Sequence, residues 1–90
     1  MRPLTFIHNV ENGDRVVMVY DSSHGGKQAV HGEIEDAHLS QYTTVRDGPV
    51  SYRVWSGGGT ARDLGDVVKR RGGNYRKVGT FVTAEVLDGE

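Results

Sequence analysis

Thirteen glycines spread along ninety residues decide most of what this chain can become. Between them lie short stretches rich in valine, threonine and aromatic side chains, which suit a pleated surface better than a helix because β-branched residues lose rotamers against a helical turn. Residues 15–20, Arg-Val-Val-Met-Val-Tyr, follow the turn-forming Asn12-Gly13-Asp14 and predict a strand. After a loop at 21–26, residues 29–39 place Val30 and Ile34 at even spacing among polar neighbours, the pattern of a second, half-exposed strand.

The clearest hairpin signal lies at Asp47-Gly48, between residues 42–46 and 50–55. On the second of these strands Val50, Tyr52 and Val54 share one face, expected to be core, and Ser51, Arg53 and Trp55 share the other. Pro49 cannot donate to a ladder and is expected to lengthen or distort the turn. A long final hairpin is expected from residues 66–71, the turn Gly72-Gly73-Asn74 and residues 75–87, where Val78, Thr80, Val82, Ala84 and Val86 alternate against Phe81 and Leu87. Residues 60–71 carry one helical spacing, Leu64, Val67, Val68 and Arg71, but Gly65 and the β-branched pair favour a strand or a single turn. Five or six short strands joined by glycine turns predict an all-β fold, a small antiparallel barrel or sandwich.

Ninety residues predict a single domain over 1–90. A chain of this size buries only roughly 60 to 70% of its unfolded surface, and it has no cysteine for disulfides or thiolate ligands. Homodimerisation is one route by which so small a core gains stability. Residues 1–10 are interrupted by Pro3, Thr5, His8 and Asn9, so they lack the apolar run of a secretory signal, and no stretch approaches the roughly 20 apolar residues of a membrane span. A cytoplasmic protein with no membrane partner is expected.

The run Gly13-Asp14-Arg15-Val16-Val17-Met18-Val19, then Gly25-Gly26-Lys27, then Gly32-Glu33-Ile34 resembles the KOW motif of SH3-like barrels. The resemblance covers about a quarter of the chain, and the loop here is longer than the family's usual turn. It implies a five- to six-stranded SH3-like barrel of the kind that binds RNA or ribosomal and transcription proteins. Small Sm-like barrels are an equal relative at the level of strand order.

The net charge of −1 conceals an uneven distribution. Residues 1–60 carry five Lys/Arg against seven Asp/Glu, whereas residues 67–82 hold Lys69, Arg70, Arg71, Arg76 and Lys77 with no acid. With Tyr75 at the turn, these side chains are expected to crowd one projecting hairpin tip, where guanidinium and ammonium groups meet phosphates and Tyr75 or an arginine plane stacks on a base. An ordinary solvated hairpin, charged against edge-to-edge aggregation, explains the same residues. Of the other aromatics, Tyr20 and Tyr52 are expected inside; Tyr42 and Trp55 are further stacking candidates, Trp55 sharing a face with Arg53 beside a glycine loop.

No catalytic constellation emerges. His24, His31 and His38 recur every seven residues, but an interval that crosses a glycine loop and a strand does not converge them on a metal, and His31 and His38 lie roughly 20 Å apart along a continuous strand. Asp21, Ser22, Ser23 and His24 are contiguous and so point to alternating sides, unlike a hydrolase triad. Gly25-Gly26-Lys27 lacks the Ser/Thr and the helix of a phosphate-binding loop. Neither enzyme activity, metal nor cofactor is expected. The expected function is a small nucleic-acid-binding barrel, RNA- or DNA-directed and in a transcription- or RNA-associated role, that contacts about four phosphates with a log–log salt slope of roughly −3 to −4. The alternative is a protein-interaction or homo-oligomeric module using an exposed strand edge near residues 42–46.

Overall fold

A computed structural model describes residues 2–4, 7, 10–37, 42–55 and 64–87. These form β1 (Arg2–Leu4), β2 (Arg15–Ser22), β3 (Lys27–Glu35), β4 (Tyr42–Asp47), β5 (Val50–Trp55), β6 (Asp66–Arg71) and β7 (Asn74–Leu87). Neighbouring strands are antiparallel in the order β7-β2-β3-β4-β5-β6, and a further β6–β7 pairing closes them into a six-stranded barrel. This is the small all-β barrel expected from the sequence. No described helix is long and apolar enough to cross a membrane.

Two of the hairpins are tight because glycine leads the turn. Asp47 pairs with Val50 and Arg71 with Asn74, leaving two-residue loops whose first members, Gly48 and Gly72, have φ of 60° and 71°. That is the glycine-first geometry that matches strand twist. Pro49 therefore takes the second loop position, where its fixed φ is tolerated, and it neither lengthens the turn nor disturbs the ladder. Asn74 is likewise the first residue of a strand rather than the end of a three-residue turn.

Strand β7 serves three neighbours. Its first half pairs with β6 and its second half with β2, while β1 pairs with Ala84, Glu85 and Val86 on the edge beyond the end of β6. The change of partner takes place at Gly79 and Thr80, Gly79 being in register with Val67 and Ser22 and Thr80 with Asp66 and Asp21. Val78 and Val82 fall at register shifts and have no ladder partner. Each bulge moves the following residues to the opposite phase. The regular alternation expected for residues 78–86 is therefore broken: Ala84 and Val86 are buried, Phe81 packs against the core, and Val82 is 38% exposed.

The interior is lined by Val16, Met18 and Tyr20 of β2, Val30 and Ile34 of β3, Val45 of β4, Tyr52 and Val54 of β5 and Val67 of β6, together with Ile7 and Val10. Thr43, in register with Val54, is fully buried and its hydroxyl has no hydrogen-bond partner. A buried hydroxyl without a partner carries a desolvation penalty, so Thr43→Val is expected to stabilise the protein by about 1 kcal/mol. A higher urea midpoint with an unchanged m value would register that gain.

Strand β4 does not offer the edge anticipated near residues 42–46. It pairs with β5 along its whole length and with β3 at Thr44, Val45 and Arg46. Barrel closure occupies both sides of these three residues.

Candidate nucleic-acid interface

Directly opposed residues of an antiparallel ladder share a face, so the register places each cation of the final hairpin. Lys69 is opposite both Arg76 and the core residue Tyr52, and Lys69 and Arg76 therefore continue the inner face beyond the core. Arg70 is opposite Tyr75 and Ser51, and Lys77 is opposite Val68, which sets these on the outer face. The side chain of Arg71 lies outside the described residues. The hairpin thus divides its cations between two faces rather than crowding them on one, a direct result of the period of two along each strand. Lys77 also has a partner, Asp66 Oδ1, 3.2 Å from its ammonium. Asp66 lies just before the acid-free window, and cross-strand pairing brings it alongside.

The outer face of β4 to β7 carries a different arrangement. Tyr42 and Trp55 are cross-strand partners with ring centroids 4.9 Å apart. The Arg53 guanidinium lies 4.3 Å from the Tyr42 centroid and 4.1 Å from that of Tyr75, and Arg70 approaches the Tyr75 ring at 5.4 Å. The resulting row runs Trp55, Tyr42, Arg53, Tyr75, Arg70: two aromatic rings, then a cation, a ring and a cation. Below it Val68 and Thr44 are only 1% and 4% exposed although both point outward, so this face is packed rather than merely solvated. Arg70 is steadied by an Nε–H bond of 3.0 Å to the Gly72 carbonyl. Tyr75 is 37% exposed.

Cation–π contact within about 6 Å of a ring centroid is attractive, and Arg53 satisfies it on both sides. The guanidinium thus sits against both tyrosine rings, and with Arg70 also at the Tyr75 ring the row ends in a cation beside a ring that is 37% exposed. Arg53 is the member of the row that sequence reasoning did not single out. Its alternation with Trp55 on one face was visible, but its contact with Tyr75 spans β6 and depends on strand order.

Tyr20 and Tyr52 are internal as expected, with centroids 6.0 Å apart. Burial, reinforced by the neighbouring Tyr52, pushes the Tyr20 phenol above its usual value of 10 despite the opposing charge of Lys69. Among the described residues no group of three His, Asp or Glu is placed to hold a metal ion; His38 lies outside them. The Asp21-to-His24 segment is the end of β2 and the start of the following turn, in which Ser22 Oγ accepts the His24 N–H at 3.2 Å and Asp21 pairs with Lys27 at 3.7 Å. No family model, curated protein or solved structure matches the chain.

Proposed function

We propose that this barrel is a non-enzymatic protein that binds single-stranded RNA or DNA across the outer face of β4 to β7. The observation that carries the reading is Arg53, held 4.1 and 4.3 Å from two tyrosine rings in a row that ends at exposed Tyr75 and Arg70. Stacking of bases on aromatic rings tolerates any sequence, because every base has a π face, and arginine planes extend the platform. The resemblance to KOW-type barrels points the same way and suits a transcription- or RNA-associated role.

Stacking, more than charge, supplies the affinity in this reading. The protein carries a net charge of −1, so long-range attraction of a polyanion is weak. With Lys77 paired to Asp66 and the remaining cations split between faces, about two phosphates are neutralised, which gives a log–log salt slope of roughly −1 to −2 for a single strand. The test is fluorescence anisotropy with oligo-dT, oligo-U and a duplex at two salt concentrations. Single strands are expected to bind at least about tenfold more tightly than duplex, whose bases are already stacked and unavailable to the rings. Absence of binding to every oligonucleotide at low salt by the folded protein would overturn the reading, and concentration-dependent mass in the same samples would turn attention to self-assembly.

A further inference from the structure

The inner face of the β6–β7 hairpin has no role in the stacking row, yet it carries two of the hairpin's cations, Lys69 and Arg76. A cavity of about 380 Å³ opens there, lined among the described residues by His24 of the β2–β3 loop, Lys69 of β6, and Asn74, Arg76 and Val78 of β7. Lys69 and Arg76 are directly opposed. Like charges in that position repel and weaken a sheet. Lys27, Arg46 and Lys77 each have a carboxylate within salt-bridge distance; Lys69 and Arg76, like Arg15, Arg53 and Arg70, have none among the described residues, and no described acid lines this cavity.

The wall opposite the hairpin is held in place by the fold. Ser23 donates to the Val78 carbonyl twice, from its N–H at 2.8 Å and from its hydroxyl at 3.2 Å, and Ser22 N–H closes the loop on Gly26 O at 2.8 Å. These bonds tie the loop that carries His24 to β7, so the cavity is formed before any ligand arrives. Formation in advance lowers the entropic penalty of binding.

We propose that this mouth of the barrel is a binding site for a phosphoryl group. Arg76 presents a planar fork that suits two oxyanion oxygens, Lys69 adds a compact charge, and the Asn74 carboxamide and His24 imidazole add N–H donors. The volume exceeds that of a lone phosphate, which favours a diphosphate or a phosphate bearing an organic group. The chemistry is shared by a free small anion and by the terminal phosphate of a nucleic-acid strand. The site faces away from Tyr75 and Arg70, and it does not rest on the single-strand reading.

Titration of the ¹⁵N-labelled protein with inorganic pyrophosphate tests it. Saturable amide shifts are expected at His24, Lys69, Asn74 and Arg76, with affinity falling at least about tenfold in Arg76→Gln and in Lys69→Gln as charge-assisted bonds are lost, and less than about twofold in Arg70→Gln on the other face. Non-saturating shifts in the wild type, or equal losses in Arg70→Gln and Arg76→Gln, would overturn the site in favour of diffuse screening. Thermal melts confirm that each variant is folded. A second arm compares oligonucleotides with 5′-phosphate and 5′-hydroxyl ends: tighter binding of the phosphorylated strand, abolished by Arg76→Gln, identifies the strand end as source, and equal binding alongside saturable pyrophosphate shifts identifies a free anion. Failure of oligonucleotides to bind at all leaves the pyrophosphate result to decide this site by itself.

Discussion

Gly79→Ala is expected to destabilise the protein by about 3 kcal/mol, the upper part of the range for overpacking a closely fitted site. In a domain of this size that lowers the melting temperature by roughly 10 to 25 °C. Gly79 is where β7 passes from β6 to β2, and it pairs with Val67 on one side and Ser22 on the other. An added methyl would be driven into the Asp21 carbonyl oxygen, and would stand 2.7 Å from a ring carbon of Tyr20 and 2.9 Å from the Asp21 carbonyl carbon. Two of these neighbours are backbone atoms in a ladder, and the third belongs to a core ring, so none moves away without unpicking the barrel corner. Gly73→Ala provides the contrast. A methyl at Gly73 meets nothing within 4 Å, and its φ is not left-handed, so a stability change within about 0.5 kcal/mol is expected. Urea and thermal unfolding of the two variants measure the difference, and a Gly79→Ala protein as stable as the wild type would show that the barrel does not close through this residue.

Most strands were legible because their signals are local. The β4–β5 hairpin follows from Asp47-Gly48 flanked by alternating residues, and Tyr52 and Val54 are buried as that alternation requires. β1 was not legible: three residues including Pro3 hold too little pattern, and their pairing depends on the far end of β7. The predicted second strand also ends at Glu35 rather than continuing to residue 39, since Asp36 adopts a φ of 52° that Asp tolerates better than most residues but that breaks a strand.

The instructive error concerns the basic hairpin. Lys69, Arg70, Arg71, Arg76 and Lys77 are close in sequence, but composition carries no information about faces. Had Gly72-Gly73 been taken as the whole turn, the opposition of Arg70 to Tyr75 and of Lys69 to Arg76 would have followed by counting, because a one-residue slip exchanges the two faces of a strand. Counting from Gly72-Gly73-Asn74 also divides the cations but pairs them wrongly, setting Arg76 opposite Arg70 and Lys77 opposite Lys69. The bulges at Val78 and Val82 were beyond reach for another reason: they relieve the curvature of a closed barrel, a property of the assembled sheet and not of the segment.

Tyr75→Ala is expected to lower affinity for a single strand by about 10- to 100-fold, the loss that accompanies removal of one stacking ring, while leaving the salt slope unchanged. Arg70→Gln is expected to act in the opposite manner, with a smaller loss of affinity and a slope shallower by about 0.7 if its guanidinium meets one phosphate. Arg53→Gln should approach the Tyr75→Ala loss, because without the guanidinium the Tyr42 and Tyr75 rings lose the cation that sits against both. Lys77→Gln should change little, since the lysine is already satisfied by Asp66 at 3.2 Å. Tyr75→Phe keeps the ring and should bind as the wild type does, which separates stacking from hydrogen bonding by the phenol. The five variants distinguish a stacking face from a charged tip. Were Lys77→Gln to weaken binding as much as Arg70→Gln while Tyr75→Ala bound normally, phosphate attraction at the hairpin would be the operative contact, and the row of rings on the outer face would be part of the barrel's packing.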